Sequence, residues 1–340
     1  MRIGCWANVN ADIKTSPAIA KILFILLLEF KKCYVILPQK TIMQKYIKYT
    51  LFIILTVFLL KIIISHIEDR PRFPENCLKK EFIFKAIDGD TLQLALYSPI
   101  DTLSARQTVI YFHGGTWISG NKDKVFQRYR SDACKMLLDN HINIVSADYR
   151  LINLSGNHLQ DCLQDCHDAI RFCINNHKEM GIDTGRMALW GSSSGSHLAM
   201  LCCGKHDSDR DSNFRHIKFI INDFGPTDIC RMWQRTPEWF RRKASPYFYG
   251  ANVQNISVFD SLSTAYSPIS YTEELRKFPM LISQGMADRI VNCHQSSSLH
   301  DSLPESQFLN FDNLGHGFSG MDDKQKALYL EKFKNYILEY

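Results

Sequence analysis

The 340-residue chain contains no H-E-x-x-H and no glycine-rich Walker-type loop, so neither a helix-borne zinc pair nor a phosphate cradle is written into it. Cys162 and Cys166 stand four apart beside His167, but no second ligand pair follows at zinc-site spacing. No metal and no cofactor is expected. A basic excess is missing where a nucleic-acid binder needs it: residues 1–50 hold eight Lys/Arg against two acids, so the remainder of a chain with net charge +5 sums to about −1. Nucleic acid is not an expected partner. Internal repeats are absent too.

The 11 cysteines are an odd number in a chain too long to need a disulfide framework. Cys162, Cys166 and Cys173 recur at helical spacing, and Cys202 adjoins Cys203; these read as small core residues. From Tyr49 to Ile67 the chain reads YTLFIILTVFLLKIIISHI, with Lys61 as its one full charge. A helix of that length spans about 28 Å, the hydrocarbon thickness of a bilayer. Lys45 and Lys48 precede the run, and no small-x-small cleavage site follows. Residues 43–69 therefore read as an uncleaved anchor or an export signal, placing the protein at a membrane or outside the cell, with a cytoplasmic form as the alternative. Residues 1–42 read as an upstream extension, with translation beginning at Met43. Residues 70–80 read as a linker and 81–340 as the folded domain.

Within that domain short apolar runs alternate with helical stretches. Thr108–Phe112, Ile142–Ala147, Met187–Trp190, Ile217–Ile221, Pro279–Ser283 and Gln307–Phe311 have the profile of strands, preceded by a pair around Phe82 and Thr91–Tyr97. Asn157 marks the start of a long helix, and Lys324–Leu338 reads as a closing amphipathic one. The alternation predicts an α/β fold with a mostly parallel central sheet flanked by helices. Residues 226–270, rich in aromatics and Arg, show no clean period and are expected to form a small cap insertion.

Gly191-Ser192-Ser193-Ser194-Gly195 is a G-x-S-x-G set between a strand and a helix. A nucleophile on such a sharp turn sits in strained backbone and is lifted clear of the sheet edge, with a helix N-terminus behind it. Serine needs a base and an orienting acid. Asp288 follows the strand Pro279–Ser283 and His316 follows Gln307–Phe311, which gives the chain order nucleophile, acid, base. Ser193, Asp288 and His316 are the candidate catalytic residues. His113-Gly114-Gly115 follows another strand, and the N–H groups of Gly114, Gly115 and Ser194 are the candidate oxyanion donors.

The segments YFHGGTWISG, SADYRL, GRMALWGSSSGSHLA, SPISYTEEL…PMLISQGMADRIV and GHGF together resemble the α/β-hydrolase carboxylesterases. The likeness is strongest to the feruloyl-esterase-like and acetyl-esterase-like branch, akin to the hormone-sensitive-lipase group, and covers residues 81–338. It implies the α/β-hydrolase fold, a Ser193–His316–Asp288 triad, and Trp117 packed below the oxyanion loop. It also implies hydrolysis of short acyl or aryl esters, carbohydrate esters among them. Arylformamidase-like amide hydrolysis and a non-catalytic binding role are the alternatives. A prolyl-oligopeptidase-type peptidase would need a preceding propeller repeat. The chain departs from the family pattern at Thr116, Ser194, Ser196 and Asn292, and at Gln284, where the His of a His-Gly pair is usual before the acid. None of these removes a catalytic group. Arg231, Arg235, Arg241 and Arg242 in the cap read as a solvated face, with contact to an acidic sugar or carboxylate as the alternative.

Overall fold

Strand β3 (Arg106–Phe112) is buried along its whole length, and β4 (Asn143–Ala147) likewise. Apolar side chains on both faces are the mark of parallel strands covered on both sides. In the computed structural model, which describes residues 71–87, 89–101, 105–153, 156–205 and 212–340, these two strands are central to one sheet. With β1 (Cys77–Ile87), β2 (Asp90–Pro99), β5 (Ile182–Ser192), β6 (Ile217–Asp223), β7 (Met280–Gly285) and β8 (Gln307–Phe311) the order is β1-β2-β4-β3-β5-β6-β7-β8. The β1–β2 and β2–β4 pairings are antiparallel; every pairing from β4 to β8 is parallel. This is the mostly parallel α/β arrangement expected from the sequence.

One face of the sheet presents Leu94, Ile110, Phe112, Val145, Leu189, Ile220 and Ile282 to α2 (Leu159–Asn175), α3 (Ser194–Gly204) and α7 (His294–Ser302). The other presents Val109, Tyr111, Ile144, Ala188, Trp190, Phe219, Ile221 and Leu281 to α1 (Tyr129–Asp139) and α8 (Asp323–Glu339). Alternate residues of each strand thus feed alternate cores, as the two-residue period of a strand requires. Cys162, Cys166, Cys173, Cys202 and Cys203 are buried thiols of the first core.

Between β6 and β7 lie α4 (Ile229–Trp233), α5 (Glu238–Tyr249) and α6 (Ile256–Ala265), the insertion expected at 226–270. Its aromatics divide. Phe248 packs on Trp117 and Trp233, and Phe259 is fully buried, whereas Trp239, Phe240 and Tyr247 face solvent. That division is why no single period is visible there.

Two boundaries differ from expectation. β1 begins at Cys77, inside the stretch read as linker, because Lys79, Lys80 and Glu81 of an exposed edge strand carry no apolar alternation. Helix α2 is capped at His158 rather than Asn157: Asp161 reaches back to accept the His158 N–H at 2.8 Å. The apolar run Tyr49–Ile67 and the extension before Met43 lie outside the described residues. Among the described residues no helix is long and apolar enough to cross a membrane.

Candidate active site

The parallel register brings the ends of β3, β5, β6, β7 and β8 to one edge: Phe112 pairs with Gly191, Ser192 with Asp223, Asp223 with Ser283, and Gly285 with Phe311. Each candidate residue therefore leaves the sheet on the same side. Ser193 takes up φ 55° and ψ −122° between β5 and α3, a conformation costly for any L-residue. Two contacts hold it there: its N–H donates to the Asp223 carbonyl at 2.9 Å, and its own carbonyl accepts the His197 N–H at 3.1 Å. The flanking glycines are required by close approach. A β-carbon on Gly195 would lie 2.0 Å from the Phe112 carbonyl oxygen, and one on Gly191 2.3 Å from the Ser196 nitrogen.

Ser193 Oγ lies 3.0 Å from His316 Nε2, and His316 Nδ1 lies 2.7 Å from Asp288 Oδ2. The Asp288 side chain is fully buried and His316 is partly exposed. Asp288 Oδ1 accepts the backbone N–H groups of Ile290 and Val291 at 2.8 and 2.9 Å. Because the carboxylate only accepts, His316 Nδ1 is the donor in that pair, which leaves Nε2 free to accept the Ser193 hydroxyl proton. Phe224, itself at φ 44°, meets the His316 ring edge-on at 5.2 Å and fixes its plane.

Gly114 lies directly against the turn: a β-carbon there would stand 3.2 Å from Ser193 Cβ. Gly115 begins a tight loop whose carbonyl accepts the N–H groups of Ile118 and Ser119 at 3.1 and 3.0 Å. Ser194 is the first residue of α3, where a helical N–H has no carbonyl one turn back. The structure thus brings Ser193, His316 and Asp288 into one hydrogen-bonded chain, with Gly114 and Ser194 beside it and Gly115 next along the loop.

Several supporting residues had no role assigned from the sequence. Gln284, fully buried, donates to Asp288 Oδ2 at 3.3 Å and to the Val291 carbonyl at 3.2 Å, while accepting from Ser296 Oγ at 2.8 Å. His197 accepts the Trp117 indole N–H on Nδ1 at 3.2 Å and donates from Nε2 to the Tyr266 carbonyl at 2.7 Å. Burial pushes it down to about 4. His113 stacks on Tyr149 at 4.2 Å, and burial pushes it down to about 3, so both rings are neutral supports. Asp223 lies beneath the turn, its Oδ2 accepting from Tyr129, Tyr329 and Trp190 at 2.8–2.9 Å. A polar residue at a position that should be apolar was the available signal for Gln284, His197 and Asp223 alike.

A family model, BD-FAE, matches residues 94–303, more than half of the chain. The chain belongs to the BD-FAE family. The match contains Ser193 and Asp288 and stops short of His316. Among curated relatives, an arylesterase of Saccharolobus solfataricus is 32% identical over 196 residues, 56% of this chain and 60% of that one. The isoprenylcysteine alpha-carbonyl methylesterase ICME of Arabidopsis thaliana is 22% identical over 62% of this chain and 49% of its own. The chain thus spans about half to three-fifths of the length of these relatives. Of solved structures, the propionate-bound thermophilic esterase Est2 of Thermogutta terrifontis superposes with a TM-score of 0.61 at 22% identity, covering 78% of this chain and 96% of that one. At that identity it supports the α/β-hydrolase fold.

Proposed function

We propose that this BD-FAE domain is a serine carboxylic-ester hydrolase acting on short acyl or aryl esters through an acyl-enzyme. The observation that carries the reading is the unbroken chain Ser193–His316–Asp288 on a strained turn at the C-terminal edge of the sheet. The names of the arylesterase and methylesterase relatives agree with it.

Ser193 Oγ attacks the acyl carbon as its proton passes to His316 Nε2, and the N–H groups of Gly114, Gly115 and Ser194 receive the developing oxyanion. His316 returns that proton to the leaving alcohol. A water then gives one proton to His316 and attacks the acyl carbon, and the Ser193 oxygen regains a proton as the acid leaves. Asp288 holds the imidazole with Nδ1–H inward and stabilises its cation. The apolar run Tyr49–Ile67 supports placement of the enzyme at a membrane or its export.

The test is Ser193→Ala. Turnover of p-nitrophenyl acetate should fall by about 10⁴–10⁶, and labelling by a fluorophosphonate probe should vanish. Near-normal hydrolysis by that variant would remove Ser193 from the mechanism.

A further inference from the structure

Several arginines of the domain are held in ion pairs. Arg106 pairs with Asp101, Arg150 with Asp161 and Asp165, Arg241 with Asp260 and Arg242 with Glu238. Arg231, Arg235 and Arg289 stand together without such a partner: among the described residues, no ion pair joins them to a carboxylate. With His294, Asn292, Gln295, Met232 and Ile290 they line one cleft of about 120 Å³, and no acid is among its walls. Arg231 and Arg235 come from the cap, and Arg289 from the loop after β7 more than 50 residues away. The acids adjoining its walls in the chain are engaged elsewhere: Asp228 Oδ1 accepts the Arg231 backbone N–H at 2.8 Å to cap α4, and Asp288 holds His316. Guanidinium groups brought together without a counter-charge repel one another, and a cleft lined by one sign focuses its field on whatever enters.

The cleft is also firmly built. Gln295 accepts the N–H groups of Thr227 and Asp228 through Oε1 at 2.7 and 2.6 Å, and its carbonyl accepts the Thr227 hydroxyl at 2.6 Å. That ties the entry to the cap onto α7. The opposite wall is Arg289-Ile290, the two residues after Asp288, and the Ile290 N–H donates to the Asp288 carboxylate. One loop therefore carries the acid on one side and a guanidinium on the other.

We infer that Arg231, Arg235, Arg289 and His294 form an anion-recognition site that takes a carboxylate or phosphate carried by the ester substrate. Guanidinium forks bind planar or tetrahedral oxyanions through paired N–H donors, and Met232 and Ile290 supply apolar contact for the stem that bears the anion. This rests on the esterase reading and narrows it to acidic esters. Arg241 and Arg242, grouped with the other two in the sequence, take no part, since each is already paired.

The test compares kcat/KM of the full chain on mono-4-nitrophenyl esters of glutaric, adipic and suberic acid with the uncharged valeric, hexanoic and octanoic esters. Acetylated hydroxybenzoates against their methyl esters form the alcohol-side arm. In an Arg231→Gln/Arg235→Gln variant the acidic-to-neutral ratio should fall about tenfold in at least one arm, through KM, and the wild-type ratio should fall as salt rises. Lys332→Gln, an exposed cation on α8, should leave the ratio in place, separating a site from bulk charge. In parallel, inorganic phosphate titrated calorimetrically into Ser193→Ala should bind, and the double arginine change should abolish that heat. An unmoved ratio in both arms overturns the substrate assignment even where phosphate binds, and absence of phosphate binding together with an unmoved ratio overturns the site. Failure of the esterase reading looks different: neutral esters are then not hydrolysed, or survive Ser193→Ala, and the phosphate titration alone decides the anion site.

Discussion

Gln284 donates its side-chain amide to Asp288 Oδ2, the same carboxylate oxygen that accepts His316 Nδ1–H. With the two backbone donors on Oδ1, that makes four donors on one buried carboxylate. The amide therefore orients the acid, and is itself held by the Val291 carbonyl and the Ser296 hydroxyl.

Gln284→Leu keeps the volume and removes both donor and acceptor. It should lower kcat by about tenfold with little change in KM, since a charge-assisted hydrogen bond of this kind contributes roughly 1.5–3 kcal/mol and serves the transition state more than substrate binding. Gln284→His, which keeps a donor, should recover most of that loss. Steady-state kinetics on p-nitrophenyl acetate checks both. Equal kcat in wild type and Gln284→Leu would reduce Gln284 to a packing residue.

Asp223 provides a second prediction, read in stability. Its Oδ2 takes three donors, while among the described residues no partner reaches the buried Oδ1. Burial pushes the carboxyl up to about 6 from 3.8, against the pull of those donors and of Arg130. A carboxyl that holds its proton more tightly folded than unfolded contributes stability fully present below about pH 4 and lost as pH rises through about 6. An amide in place of this carboxyl does not titrate. The Asp223→Asn variant should therefore gain on wild type by roughly 2 kcal/mol between pH 4 and pH 7, measured by urea denaturation at both. A difference that stays flat, or one that turns against the variant with rising pH, contradicts the assignment.

Ser193, Asp288 and His316 were readable in the sequence for a geometric reason. Each follows an apolar strand, and a parallel sheet delivers all such ends to one edge. The glycines around Ser193 added a steric signature that the close approaches explain. The roles of His197 and Asp223 were not readable, because they depend on partners far along the chain: Tyr329 lies 106 residues from Asp223, and Tyr266 lies 69 from His197. Gln284 stood out as a departure before the acid, but only the fold shows its hydrogen bonds to Asp288, Val291 and Ser296. The cap helices were hidden for another reason. Helix α5 buries Ala244 and Ser245 and exposes Trp239, Phe240 and Tyr247, the reverse of the pattern that hydropathy detects. The arginine cleft joins both difficulties, since two of its three arginines come from a segment with no period.

The last prediction concerns the joint between the oxyanion loop, α3 and the cap. His197 fills it as a neutral ring, receiving the Trp117 N–H and giving its own to the Tyr266 carbonyl. Trp117 follows Gly115 by two residues, at φ 61°, so its anchorage sets the loop that carries the candidate oxyanion donors. His197→Leu leaves a buried indole N–H and a buried carbonyl unpaired and should cost about 2–4 kcal/mol. The loosened loop should also lower kcat by about tenfold, a readout that a purely structural role would leave in place. His197→Gln can both donate and accept and should restore much of each loss. The sign of the pH effect is opposite to that at Asp223. Burial holds this imidazole at about 4 against the ordinary 6.5, so its contribution is complete above about pH 6.5 and declines as the unfolded chain takes up the proton on the way down to pH 4. The penalty of His197→Leu should accordingly be smaller at pH 5 than at pH 7.5, and a penalty that grows on acidification would mean the ring is charged in the fold.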